Sequence, residues 1–292
     1  MIGERVPLLL LSDVDGTLIS ESGSLPVEPV VLRARVQDIR RAWRGPVHVG
    51  LASSRTLREL TVLQRALELP GPCIAEDGAR HAVDVEAPAR ILSPHDMERH
   101  GSRVLRTYAH ATSAEALRSL MHDEPAFVRA DTQRLPVQAL RALGFPTYGA
   151  IRRALASRTH SVLLDPQAWS NDDHNRLRER SAAHGLQLRR GGRWFTMTTA
   201  GGKGPALRAL RHQFTMHGVP PVIAAIGNEE NDVSLLAEAD LGFVIRNPHR
   251  GPHPMLSALP GVVLLDAEGP GGWMEMLDRL VPGATQLVEA RP

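Results

Sequence analysis

The chain has 292 residues, 42% hydrophobic and 23% charged, with a formal net charge of +2. That length admits two domains, or one large domain with an insertion, in an ordinary globular composition. Near-balanced charge and 4% aromatics leave no basic, stacking footprint for nucleic acid. No run approaches a transmembrane helix in length, and the single Cys73 excludes an internal disulfide. A cytoplasmic protein is the expectation, with no nucleic-acid or membrane partner.

Leu8-Leu9-Leu10-Leu11 reads as a strand buried on both faces, as in a parallel sheet. It ends in Asp13-Val14-Asp15-Gly16-Thr17. Alternation sends both carboxylates the same way, so they repel unless a cation sits between them or one carries a proton. Leu32, Val36, Ile39 and Trp43 then mark a helix closed by Gly45-Pro46. Val47 to Leu51 is the next strand, running into Ala52-Ser53-Ser54-Arg55-Thr56 and a Leu-rich helix. Hydroxyls, a guanidinium and a helix N-terminus together form an anion-binding arrangement, although helix capping by Ser or Thr alone explains the hydroxyls. Cys73-Ile74-Ala75 is a third strand, ending in Glu76-Asp77-Gly78. Alternating strands and helices define an α/β fold with a Rossmann-like, doubly wound parallel sheet.

The character changes near Asp84, where apolar runs shorten and Arg, His and Ala increase. Residues 84–197 are expected to form an inserted α+β cap domain, and residues 1–83 and 198–292 the core. Within the insert, helices are expected from Ser93-Pro94, Ser113 to Met121, Leu135 to Leu143, Ala150 to Ala156 and Asn171 to His184. Strands are expected at Ser161 to Leu164, Leu186 to Leu188 and Trp194 to Met197. The core pattern resumes with Gly201-Gly202-Lys203-Gly204 at a helix start, where a lysine is placed to reach a phosphate as a point charge. Val222 to Ile226 is a further buried strand, followed by Asn228-Glu229-Glu230-Asn231-Asp232, oxygen-bearing side chains suited to a hard cation such as Mg²⁺. Strands at Leu241 to Ile245 and Val262 to Leu265 and a helix from Trp273 to Val281 complete the pattern.

Asp13-x-Asp15-Gly16-Thr17, Ser53-Ser54-Arg55, Lys203 and Gly227-x-x-x-Asn231-Asp232, each after a strand and in this order, resemble the haloacid dehalogenase superfamily of phosphohydrolases. The insert looks like the mobile cap of its sugar-phosphatase branch. Ala52 to Thr56, Ile74 to Ala79, and Arg193-Trp194-Phe195-Thr196 with Gly202-Lys203-Gly204 look most like mannosyl-3-phosphoglycerate phosphatases. The resemblance implies that Asp13 attacks phosphorus to form an aspartyl-phosphate, and that Asp15 protonates the leaving alkoxide and then activates water. It implies Mg²⁺ as cofactor, with Asp13, Asp15 (through its carbonyl), Asn228 and Asp232 as its residues. Thr17, Ser53, Ser54, Arg55, Lys203, Asn231 and Arg193 would serve phosphate or substrate, with Arg189 and Arg190 beside Arg193.

Two departures stand out. Asn228 replaces the aspartate usual in the family and supplies an oxygen without charge. The stretch Arg158 to Val162 differs from relatives that carry an acidic residue there. The expected partner is a small phosphorylated sugar or glycosyl-phosphoglycerate, with a homodimer possible. A broad-range metabolite phosphatase is the alternative among enzymes. From another class, a catalytically weakened phospho-ligand sensor stays open because of Asn228.

Overall fold

The computed structural model describes residues 6–20, 23–87, 96–109, 160–164, 171–183, 185–191, 194–198 and 201–283. Strand β1 (Leu8–Ser12) is wholly buried. Leu8 and Leu10 enter one apolar layer while Leu9 and Leu11 enter the other, as a strand covered on both faces requires. Helix α1 (Pro29–Ala42) opens with proline, which fits the first turn, and buries Leu32, Val36 and Ile39 along one stripe. Strand β2 (Val47–Ala52) leads to α2 (Leu57–Leu67), whose first turn is closed by a reciprocal Thr56–Glu59 capping box. Strand β3 (Cys73–Ala75) follows, then β4 (Arg80–Asp84), β5 (Asp96–His100) and β6 (Arg103–Ala109).

Further along lie β7 (Ser161–Leu164), α3 (Asn171–Ala183), β8 (Gln187–Gly191) and β9 (Trp194–Thr198), within the segment expected to be inserted. The chain returns through α4 (Lys203–Gln213), β10 (Val222–Gly227), α5 (Val233–Ala237), β11 (Leu241–Arg246), α6 (Pro254–Ser257), β12 (Val263–Glu268) and α7 (Gly269–Gly283). Among the described residues no helix is long and apolar enough to cross a membrane.

Nine described strands form one sheet in the order β12-β11-β10-β1-β2-β3-β4-β6-β5. The six from β12 to β3 are parallel; β4, β6 and β5 extend it antiparallel. Helices α1, α2 and α7 cover one face, and α4, α5 and α6 the other. The chain winds outward from β1 through β2 to β3, then restarts at β10 and winds the opposite way. The crevice beyond the carboxyl ends of β1 and β10 is therefore a topological switch point, where ligands bind in such sheets. Strands β7, β9 and β8, in that order, form a separate antiparallel sheet.

One expectation is corrected. Residues 96–109, expected within the insert, form a hairpin that pairs through β6 with β4 and lengthens the main sheet, and the Ser93-Pro94 helix start lies outside the described residues. Val104, Leu105, Thr107 and Tyr108 are strand-forming residues, and Leu105 and Tyr108 bury against the core. Gly101, at φ 65°, makes the turn between the two strands. These residues, placed in the insert by composition, thus belong to the core sheet. The helices expected at 113–121, 135–143 and 150–156 lie outside the described residues.

Candidate active site

Three strand ends and one helix start converge at the switch point. Asp13 follows β1, its main-chain N–H donating to the Ile226 carbonyl of β10 at 3.0 Å. Trp273 of α7 braces the same strand end, its Nε1–H donating to Ser12 Oγ at 2.9 Å. Lys203 in the first turn of α4 is fully buried. Its Nζ donates to Asp13 Oδ1 at 2.7 Å and to Asp232 Oδ1 at 2.6 Å. Burial alone would lower its pKa, but the two carboxylates raise it, so the ammonium stays charged. Asp13 is pushed up to about 8, first by burial and then by Asp232, against the opposing pull of Lys203.

Asp232, expected to complete or orient a metal shell, has both oxygens engaged. Oδ1 takes Lys203, while Oδ2 accepts the N–H groups of Asn228 at 2.9 Å and Glu229 at 3.2 Å. This carboxylate therefore shapes its own loop and fixes the lysine. Asn228 is buried beside Gly16, and Thr17 Oγ1 donates to its Oδ1 at 3.2 Å. A Cβ on Gly16 would come within 2.3 Å of Asn228 Nδ2, and its φ of 76° suits glycine, so the tight turn after Asp15 needs that residue.

Arg55 meets Asp15 rather than open space. Its Nε donates to Asp15 Oδ2 at 2.9 Å and its Nη2 to Asp15 Oδ1 at 2.7 Å, a bidentate pair. Glu59 stands behind the guanidinium at 3.7 Å, itself held by the Thr56 N–H and hydroxyl. Burial opposes the charge on Arg55, but Asp15 and Glu59 outweigh it and raise its pKa. Because Thr56 caps α2, Ser53 and Ser54 are released from that task; Ser53 Oγ accepts the Arg55 N–H at 3.2 Å.

The turn Glu76-Asp77-Gly78 at the end of β3 reaches the site as well. Both acids are buried in the left-handed region, Glu76 at φ 52° and Asp77 at φ 54°. Each such residue costs about 1–2 kcal/mol, a strain that persists only where surroundings over-determine it. Asp77 Oδ1 accepts Asn231 Nδ2–H at 3.0 Å.

From the insert, β8 packs against the Glu230–Asp232 turn and β9 against the Glu76–Gly78 turn. The Arg189 guanidinium lies close against Gly202, next to Lys203, while Arg190 is exposed. Arg193 lies outside the described residues. The structure thus brings together Asp13, Asp15, Thr17, Ser53, Arg55, Lys203, Asn228, Asn231 and Asp232, drawn from four separated segments.

Among the described residues, no three His, Cys, Asp or Glu side chains converge into a ready cage. The local chemistry nevertheless fits Mg²⁺, which takes one or two carboxylates and keeps several waters. Asp13 Oδ2 has no hydrogen-bond partner among the described residues, and Asn228 Oδ1 and the Asp15 carbonyl belong to the adjoining loop ends. Asp77, Asp13 and Asp232 all act electrostatically on the one lysine. A phosphate dianion entering such an acid-rich crevice needs a compensating cation.

No family model matches the sequence. Solved structures share the architecture, among them a haloacid dehalogenase-like hydrolase from B. subtilis, with a TM-score of 0.59 and 16% identity over 93% of this chain and 99% of that one. A subclass IIB sugar phosphatase of the haloacid dehalogenase superfamily gives a TM-score of 0.55 and 14% identity, over 93% of this chain and 97% of its own. The sucrose-phosphatase from Synechocystis, solved with sucrose and phosphate, gives 0.52 and 16% over the same shares. The chain has the fold of these proteins.

Proposed function

We propose that this protein is a Mg²⁺-dependent phosphomonoester hydrolase working through an aspartyl-phosphate on a small phosphorylated sugar or glycosyl-phosphoglycerate. Mannosyl-3-phosphoglycerate is the first candidate. The observation that carries the reading is Asp13 at the switch point, tied by buried Lys203 to Asp232, with Asp15 two residues on. The sugar-phosphatase and sucrose-phosphatase structures that share the fold support the substrate class.

In this reading Asp13 turns Oδ2 to phosphorus, while Lys203 holds Oδ1 and keeps the carboxylate oriented. Lys203, the Ser53 hydroxyl and the second N–H of Asn231 Nδ2 take phosphate oxygens. Asp15, paired with Arg55, rests as a carboxylate, the form that takes a proton from the hydrolytic water. Protonating the leaving alkoxide requires Asp15 first to take a proton from solvent, which it can do once an anionic substrate draws Arg55 away. Asp13, the Asp15 carbonyl and Asn228 would hold Mg²⁺, with Asp232 orienting their loop. When bound, the ion neutralises charge on the transferring phosphoryl group. Arg189, and Arg193 with it, would meet the rest of the substrate from the insert side.

The test is phosphate release, with and without Mg²⁺, from a panel of phosphorylated metabolites including mannosyl- and glucosyl-3-phosphoglycerate. The reading expects metal-dependent release from one of these at a kcat/KM about 100-fold above that of hexose phosphates, equivalent to about 2.7 kcal/mol of transition-state binding. Asp13→Asn should abolish it. Weak release spread across the panel would replace the substrate with a broad range. Binding without turnover at millimolar Mg²⁺ would replace the hydrolase with a sensor.

A further inference from the structure

The Glu76-Asp77-Gly78 turn faces two ways. On one side, Glu76 Oε2 accepts the His160 N–H at 2.9 Å and the Ser161 hydroxyl at 2.8 Å, where the insert begins β7. Thr198 Oγ1 in β9 donates to the His160 carbonyl at 3.0 Å, tying the insert's last strand to the same point. On the other side, Asp77 accepts Asn231 Nδ2–H, and its charge acts on Lys203. Asp77 Oδ2 is buried without a hydrogen-bond partner.

The turn is also fastened to its neighbours through the main chain. Glu76 N–H donates to the Arg55 carbonyl at 2.9 Å and Asp77 N–H to the Ser53 carbonyl at 3.1 Å. Gly78, at φ 91°, lies so close to the Gly202 carbonyl that a Cβ would come within 1.9 Å of it. Two adjacent left-handed residues cannot relax separately, because reversing φ at either one redirects both side chains. Losing the donors from His160 and Ser161 would leave part of the Glu76 carboxylate buried without them, a penalty that favours relaxation of the turn. Relaxation would in turn release Asn231.

We propose that this turn couples the seating of the inserted sheet to the phosphate-holding side chains, with Glu76 sensing the insert and Asp77 as a positioning residue for Asn231 and Lys203. The proposal rests on the hydrolase reading for its kinetic consequence, but its structural half stands apart. An acceptor-only carboxylate fixes which end of the Asn231 amide donates, leaving the second N–H of the same nitrogen for a phosphate oxygen. An insert seated on its clasp thus goes with a competent phosphate pocket, and an unseated one with a slack pocket.

The experiment uses the full chain with Ser161→Ala, which removes one donor at the insert, and Ser161→Thr, which restores a hydroxyl. The expected result is a kcat about tenfold lower for Ser161→Ala with KM within about threefold, and recovery in Ser161→Thr. Hydrogen exchange measured without substrate should quicken in Ser161→Ala at residues 76–79 and 228–232 as well as at 160–164. Coupling is reciprocal, so Asp77→Ala should quicken exchange at 160–164. Faster exchange in Ser161→Ala confined to 160–164 and 194–198 would overturn the coupling and leave Glu76 as an anchor for the insert alone. Wild type that releases no phosphate would defeat the hydrolase reading, while the exchange of Ser161→Ala would still decide the coupling.

Discussion

In the proposed hydrolase, Asn228 is the residue on which metal binding turns. It sits where a carboxylate would add charge to a cation site, yet supplies only an amide oxygen that already accepts from Thr17. Charge count is a main determinant of affinity for hard cations. Asn228→Asp should therefore lower the Mg²⁺ concentration that half-saturates phosphate release by about tenfold, the equivalent of one pKa unit or about 1.4 kcal/mol. The same substitution puts another acid near Asp13, already pushed up to about 8, so the metal-free variant should melt below wild type at pH 8. Unchanged Mg²⁺ dependence would remove Asn228 from the metal shell. Cys73 offers a separate check on the core. Burial pushes its thiol up to about 12, and its Sγ–H donates to Gln64 Oε1 at 3.3 Å. Iodoacetamide at pH 8 should leave it unlabelled in the native protein and label it fully after unfolding, because the thiolate is the reactive form.

At the level of elements, legibility followed burial. Strands β1 and β10 were readable because a parallel strand covered on both faces shows as a nearly unbroken apolar run, while β2, interrupted by His48 and Gly50, was readable from Val47, Val49 and Leu51. The β5–β6 hairpin was not, since Asp96 to Arg103 is crowded with charged and polar residues at a sheet edge and leaves no apolar run to find. Its order depends on charged side chains paired within the hairpin and across to β4. Glu98 on β5 joins Arg80 on β4 and receives His100 at 3.1 Å. The His100 hydrogen bond, helped by Arg80 and opposed by burial, lowers Glu98 from 4.5 to about 2. A depressed carboxylate contributes stability that is present above its unfolded pKa and lost as pH falls through its folded one. Between about pH 4.5 and 2, hydrogen exchange at residues 96–109 should therefore rise ahead of exchange in β1 and β10. Glu98→Gln should make the hairpin exchange faster at neutral pH and remove the acid-dependent part. The Glu76–Asp77 turn escaped the sequence for a similar reason: two acids before a glycine announce a turn, but not that both are left-handed, nor what each one holds.

At the scale of the molecule, a chain with a net charge of only +2 concentrates the buried acids among its described residues at one end of one sheet. Each site segment was visible in the sequence as a polar stretch after a strand or before a helix. Their charge balance was not, because it depends on Arg55 closing on Asp15 while Lys203 lies between Asp13 and Asp232. That balance predicts how the fold answers to metal. Asp13 has its pKa raised from 3.8 to about 8 in the folded chain, so the stability it contributes is fully present below about pH 4 and is lost as pH rises through 8. Metal-free wild type should accordingly lose thermal stability over that window relative to Asp13→Asn, which carries no acid there. Mg²⁺ bound by the native state alone stabilises it by about 2.7 kcal/mol at 100 times its Kd. At about 2 °C per kcal/mol for a chain of this size, Tm should rise by about 5 °C. The rise should grow as pH climbs through about 8, where Asp13 ionises and gains a cation. It should shrink below about 1 °C in Asp13→Asn, a loss of nearly the whole increment expected from site binding. NaCl at matched ionic strength should not reproduce it, since screening acts weakly on buried charges. An equal Mg²⁺ effect on wild type and Asp13→Asn would place the ion elsewhere and leave the acid-rich crevice to be neutralised by protons.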